Sequence, residues 1–305
     1  DAHAQGKPLA FLDHHIRCGD SLVGVLDLAV LKEGIPEPAF RPTSGDDRKI
    51  AHSLQRRNKS EQAGQHDLLL ANDVQIGPAF KAMSSELATS DDTLAQLRQK
   101  AAAWQSWQEK VNRARTACDL YVAAFFQPLT ATNRQPITTA VLWHYLETET
   151  ADEQSLRMAS ACAHEHRFFH WPLEFPEVFM ASDAASAATT AGFDVILGNP
   201  PYMGGFKISG NLGEKYHKWL VFAYKPFFGQ ADLCAAFFRR AYSLLRPGGR
   251  LGLLATNTIG EGDTRKCGLA AILNQGGVIT FARRFIKWPG AANVEVNSVV
   301  VYKSD

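Results

Sequence analysis

Residues 199–202 read Asn-Pro-Pro-Tyr, directly after the apolar run Phe193-Asp194-Val195-Ile196-Leu197-Gly198. The run has strand composition, and its ending has a chemical use. Two successive prolines cannot donate to a sheet ladder, so the strand must stop at Pro200-Pro201. Pro201 also holds Pro200 extended, which turns backbone carbonyls outward. The Asn199 side-chain oxygen and the Pro200 carbonyl can then accept both hydrogens of one exocyclic amino group. Tyr202 adds a flat face beside them. Two acceptors and an aromatic plate at a strand's C-terminal end make a receptor for a planar aminated ring, on the edge where open α/β sheets bind ligands.

The elements needed to hold such a receptor are legible from about Phe168 onward. Strands are expected over 193–197, 250–255, 278–283 and 294–302, with helices over 214–223, 231–245 and 264–274. Arg246-Pro247-Gly248-Gly249 reads as a helix stop and turn before a strand. This alternation predicts a doubly wound, mostly parallel sheet. The last two strands are joined through a Trp-Pro-Gly segment too short for a crossover helix, so they should pair antiparallel.

Upstream, the chain reads differently. A short strand, His15-Ile16-Arg17-Cys18, is expected to close at Gly19-Asp20-Ser21-Leu22. Helix is expected from about 46 to 87 with a break near Gly77-Pro78. A long amphipathic helix, capped by Ser90 or Asp91, should run to about Phe126, on the order of 50 Å. Gln127-Pro128 ends it, and helices over 138–147 and 152–163 follow.

With 305 residues, 46% of them hydrophobic, the chain can bury a full core and carry a second region. The formal net charge of +1 excludes a strong global field but not a local basic face. Five cysteines, scattered singly, argue for reduced thiols and a cytoplasmic protein rather than a disulfide framework. No apolar run approaches the roughly 20 residues of a membrane helix, so no membrane partner is expected.

The Asn-Pro-Pro-Tyr segment resembles that of amino-methyltransferases that use S-adenosylmethionine. Its flanks narrow the likeness: His170-Trp171-Pro172-Leu173-Glu174-Phe175-Pro176-Glu177-Val178-Phe179 before it, and Gly204-Gly205-Phe206-Lys207-Ile208-Ser209-Gly210 after it. Ala231-Asp232-Leu233, Thr256-Asn257-Thr258-Ile259 and Gly262-Asp263-Thr264-Arg265 follow in order. Together they resemble the large N6-adenine DNA methyltransferases of restriction–modification and phage-defence systems. The likeness covers most of residues 166–305 and a piece near residues 8–25.

The resemblance implies a Rossmann-like α/β methyltransferase fold with a terminal antiparallel hairpin. Residues 1–25 and 166–305 would form the core, and 26–165 a large helical insertion. It implies methyl transfer from S-adenosylmethionine to adenine N6 in double-stranded DNA, by direct in-line attack on an extruded base. Asn199, Pro200, Pro201 and Tyr202 would be catalytic. Tyr202 would stack on one face of the base, with Trp288, and as second choice Phe285, on the other. Asp20, Ser21, Asn199 and Asp232 would border the cofactor. The family's glycine-rich cofactor loop has no counterpart here, so the chain is expected to be a fragment that binds cofactor poorly by itself, its recognition domain or subunit lying elsewhere.

Other features carry plainer readings. Cys162-Ala163-His164-Glu165-His166 with His170 superficially resembles a metal cluster but lacks the His-Glu-x-x-His order, and no metal is expected. Arg56-Arg57-Asn58-Lys59 is either a solvated helix face or a phosphate contact. No acidic pair followed by Glu-x-Lys marks a nuclease. Two other functions fit the same motif: an RNA or protein amino-methyltransferase, and a catalytically silent DNA-binding subunit.

Overall fold

The computed structural model describes residues 10–64, 76–179, 191–288 and 295–304. The chain divides into two compact units, Asp1–Ala184 and Ala185–Asp305.

The first unit is helical: α1 (Arg48–Gly64), α2 (Ile76–Leu87), α3 (Leu94–Lys110), α4 (Asn112–Ala123), α5 (Thr139–Thr148) and α6 (Glu153–Glu165), with short single turns before and after them. Several expectations need correction. The long helix is two, because the chain bends at Val111 between α3 and α4 (ψ 0°), where that side chain is fully buried. Its cap is neither Ser90 nor Asp91 but Thr93, which forms a reciprocal capping box with Gln96. Asp91 instead pairs with buried Lys100. The helix expected from 46 to 87 is observed as α1 and α2, residues 65–75 between them lying outside the described residues, and Gly77-Pro78 falls in the first turn of α2, where a proline costs no helical bond.

Residues 15–18 form no strand. Asp20 makes one isolated parallel bridge to Phe168, and its carboxylate accepts from the Leu22 amide, closing a turn. Segment 19–25 is then latched to segment 167–171. Phe169 N–H donates to the Val23 carbonyl, Val25 N–H donates to His170 Nδ1, and His170 Nε2 lies 2.9 Å from Asp119 on α4. The expected boundary at 165/166 falls inside this unit, which runs on to Ala184.

The second unit is a four-stranded sheet of β1 (Phe193–Gly198), β2 (Leu245–Ala255), β3 (Gly277–Lys287) and β4 (Glu295–Lys303), in the order β1-β2-β4-β3. β1 and β2 are parallel, while β4 is antiparallel to both β2 and β3. The expected terminal hairpin pairing is present. Arg246-Pro247-Gly248-Gly249 is not a turn ahead of the strand. It lies within β2 as an irregularity in the β1 register, where Phe193 faces Leu245 and Val195 faces Arg250.

One face of the sheet carries the core. Leu251, Leu253 and Ala255 on β2 alternate with Gly252 and Leu254, Val299 and Val301 alternate likewise on β4, and they pack against Cys234, Phe238 and Tyr242 of one helix and against Ile259, Leu269 and Ile272. That helix is α9 (Leu233–Leu244), preceded by α7 (Gly205–Leu212) and α8 (Glu214–Ala223). Val195 and Leu197 point away from this core, Leu197 being 78% exposed.

In the first unit Glu174 is buried between Arg17 and Arg115, both of which donate to its carboxylate. Burial by itself would raise the Glu174 pKa, but Arg115 and Arg17 outweigh it and hold the carboxyl below the usual range. A depressed carboxylate stabilises the fold above its unfolded pKa, and that stability is lost as pH falls through the folded value. Thermal melts should therefore show the first unit weakening as pH drops below about 4.5. Glu174→Gln should cost about 2–4 kcal/mol at neutral pH and flatten that acid limb, read by melting curves at several pH values.

Candidate active site

Pro200 is buried and ends β1, and the chain leaves the sheet at its C-terminal edge. The turn it enters is held from two sides. Leu233 N–H, at the start of α9, donates to the Met203 carbonyl over 2.9 Å. Gly205 packs so tightly on the preceding turn that a Cβ there would lie 2.5 Å from the Gln230 carbonyl carbon. Asn199 and Tyr202 are exposed on this edge, and the Tyr202 hydroxyl donates to the Asn199 side-chain oxygen. One lone pair of that oxygen is therefore engaged, and a carbonyl oxygen has a second. Burial, together with nearby Cys234, raises the Tyr202 pKa and keeps the phenol protonated as that donor.

Asp232 is 4% exposed and sits beneath this turn as the N-cap of α9. One carboxylate oxygen accepts from Cys234 N–H, and the other lies 3.5 Å from the Thr256 hydroxyl. Its own amide donates to Thr264 Oγ1. Asp232 thus joins the end of β2 and Thr264 to the start of α9, whose Leu233 amide holds the turn after β1. Asn257, just beyond β2, has a buried side-chain oxygen with no hydrogen-bond partner among the described residues. An unpaired buried acceptor suits a ligand carrying an amino group.

The strand directions bring Phe285 and Trp288 to the same edge. β1, β2 and β3 run parallel to one another, so Asn199, Asn257 and the end of β3 lie together. Gly198 is level with Leu253, and Ala255 with Asn297, which places Pro200 near the height of Asn297. Phe285 is 54% exposed and Trp288 36% exposed. Pro289 and Gly290 lie outside the described residues.

Asp20 and Ser21 belong to the first unit. Asp20 closes its turn there, and the Ser21 carbonyl accepts from Trp171 Nε1. No group of His, Cys, Asp and Glu able to hold a metal occurs among the described residues. α6 ends at Glu165, so His166 and His170 do not share a helix face. His166 stacks near Phe126 and Phe168 instead. In the basic patch Asn58 turns inward to Ile35 and Thr139, and Arg57 pairs with Glu61. Arg56 and Lys59 are exposed. No helix among the described residues is long and apolar enough to cross a membrane. All five cysteines are free thiols.

Residues 94–275 match the model of the Eco57I restriction-modification methylase family. The chain belongs to that family. A relative from Xanthomonas vasicola, the Type II methyltransferase M.XhoI, is 37% identical over 65 residues, which span 21% of this chain and 11% of that protein. This chain thus corresponds to a small part of that relative's length. Among solved structures, the Type IIL restriction-modification enzyme MmeI in complex with DNA is 21% identical, covering 50% of this chain and 22% of that one at a TM-score of 0.27. A structure from Listeria monocytogenes described as a class I S-adenosylmethionine-dependent methyltransferase is 12% identical, covering 85% of this chain and 89% of that one at a TM-score of 0.28. Scores this low add nothing to the fold seen here. Methylases of the family draw their methyl group from S-adenosylmethionine.

The acceptors on this edge (Asn199 Oδ1, the Pro200 carbonyl and Asn257 Oδ1) suit a ligand that presents amino groups. A glycine-rich cradle is not among the described residues. Removing the Asp232 carboxylate should act first on the fold. Asp232→Ala is expected to cost about 1–3 kcal/mol through the lost cap and the Thr256 contact, measured by urea unfolding. A residue that only touched ligand would leave the unfolding midpoint unchanged.

Proposed function

We propose that this chain is the catalytic part of a site-specific DNA methyltransferase that methylates adenine at N6, in restriction–modification or phage defence. The observation that supports it is the Asn199-Pro200-Pro201-Tyr202 turn, open at the C-terminal edge of β1, in a chain of a restriction-modification methylase family. Adenine N6 is a poor nucleophile because its lone pair is delocalised into the ring. Asn199 Oδ1 and the Pro200 carbonyl accept the two amino hydrogens, which draws the lone pair out of conjugation and aims it.

S-adenosylmethionine, when bound, supplies an electrophilic methyl on a sulfonium. Transfer to the nitrogen held by Asn199 and Pro200 would leave the electron pair of the donor's carbon–sulfur bond on sulfur. The surplus proton on nitrogen leaves to solvent past the Asn199 and Pro200 acceptors. Positioning supplies most of the rate, so no thiol nucleophile or metal enters the scheme. The buried cysteines Cys118 and Cys234 have thiol pKa values pushed far up by burial, which fits that inert role.

A base held in this turn has left its duplex, at a cost of a few kcal/mol. Tyr202 covers one face of the ring, and an aromatic from the end of β3, Phe285 or Trp288, covers the other. Asp232 borders the cofactor in this reading, through the turn it supports. The methyl donor's remaining contacts and the recognition of a DNA sequence are assigned to parts of the protein or partner subunits beyond this chain's described residues.

Modified-base mapping of DNA from cells expressing the intact gene tests the reading. Wild type should place N6-methyladenine at one sequence motif, and Asn199→Ala should lower it by about a hundredfold or more while leaving the protein folded. Expressed, folded wild type that leaves DNA adenine unmodified would sink the proposal and favour RNA or protein amines, or a non-catalytic subunit.

A further inference from the structure

Phe285 has a backbone conformation that its side chain disfavours. Its φ is +56°, in the left-handed region, where a bulky residue is rarely found. The cause is a bulge in β3. Arg283 faces Ser298 and Ile286 faces Val296, so Arg284 and Phe285 together oppose the single residue Asn297. The ladder bond lost at the bulge is replaced from the partner strand, since Phe285 N–H donates to Asn297 Oδ1 over 3.1 Å.

Asn297 is itself out of place by pattern. It occupies the side of β4 on which Val299 and Val301 face the core, it pairs with Ala255, and it is 2% exposed. An amide there loses the burial that a valine would contribute, and natural sequences accept such local conflicts chiefly at functional sites. On the exposed side, the bulge is braced again. The Arg284 guanidinium lies 4.7 Å from the centroid of the Phe285 ring and bonds Glu261 over 2.9 Å. Glu261 follows the Asn257–Gly260 turn at the end of β2.

The strand register places this bulge level with the Asn199-Pro200 turn, three strand spacings away, or about 14 Å. We infer that Asn297 is a positioning residue for methyl transfer: its amide holds the strained bulge that presents Phe285, rather than Trp288, to the target base. The inference rests on the proposed base-methylating function and assigns within it both the second aromatic and the residue that holds it. Asn297 touches no substrate, and acts through the Phe285 backbone.

The test is a double-mutant cycle on the full-length methylase with a duplex carrying its mapped target site. Methylation by wild type is the first control, because its failure would remove the proposed function and is separate from every outcome that follows. Phe285→Gly should relieve the left-handed strain, raising the melting temperature or leaving it unchanged, while lowering kcat by about tenfold to a hundredfold. Asn297→Ala should lower kcat by about tenfold with KM for DNA nearly unchanged. In the Phe285→Gly background, Asn297→Ala should have little further effect, since its target is gone. A fluorescent adenine analogue at the target position should be less quenched by either variant than by wild type. Phe285→Tyr, which keeps the ring, should restore quenching.

Three results would overturn the inference. One is full activity in Phe285→Gly. Another is a loss in Asn297→Ala that recurs undiminished in the Phe285→Gly background, as a general packing defect would. The third is a fall in stability that accompanies every loss of activity. If Asn297→Ala does not fold, the exposed Phe285→Gly and Phe285→Tyr pair still decides between presentation of the ring and a structural role.

Discussion

Pro200 and Pro201 have no N–H to give to a neighbouring strand, and the geometry of the candidate site follows from that. β1 can carry its parallel ladder to β2 as far as Gly198 and must then turn out of the sheet. The turn has to be fastened by other means. The Met203 carbonyl accepts from the α9 N-terminus, Gly205 makes the close approach to Gln230, and Asp232 ties that N-terminus to Thr256 and Thr264. The acceptors of Asn199 and Pro200 are thus mounted on a rigid edge without being consumed by the sheet.

The sheet beneath is built asymmetrically. Its packed face is filled by α9 and the helical segment before β3, whose Phe238, Tyr242 and Ile272 cover Leu251, Leu253, Val299 and Val301. On the other face Val195 and Leu197 stand exposed on β1, with Leu197 lying over Gly252. Exposed apolar residues on a strand that also forms the sheet's edge are unusual for a finished surface. The packed face holds the edge that carries Asn199 and Tyr202 in shape. Polar groups enter the packed face at few points, among them Asp232 and Asn297, and each holds a backbone turn at the same edge.

The first unit uses a different device. Its helices are joined through buried polar links between distant segments: Arg17 and Arg115 to Glu174, Asn58 to Ile35 and Thr139, and Asp119 to His170. Ion pairs and amides of this kind fix register between elements more than they add stability. Gly24 shows how close the packing becomes, since a Cβ there would lie 2.0 Å from the Phe169 carbonyl oxygen. His166 and His170 look like metal ligands in sequence; in the structure His166 packs against the Phe126 and Phe168 rings and His170 bonds Val25 N–H and Asp119.

The four strands of the second unit, the antiparallel pairing of the last two and the exit at Asn199 were all legible in the sequence. Period-two apolar runs, paired prolines and a connection too short for a crossover are local signals that need no knowledge of the rest of the chain. Helix ends were less legible. Whether Thr93 rather than Ser90 caps α3, and whether the helix bends at Val111, depends on what packs against it. The segment at 15–18 has strand-like residues but no neighbouring strand to complete a ladder, so only the bridge at Asp20 forms. Tertiary structure alone decided the strand order and hence which residues share an edge. It also decided that Arg284 and Phe285 bulge opposite Asn297. Pairing register joins residues far apart in the chain, and a bulge exists only relative to its partner strand, so neither can be written in one segment by itself.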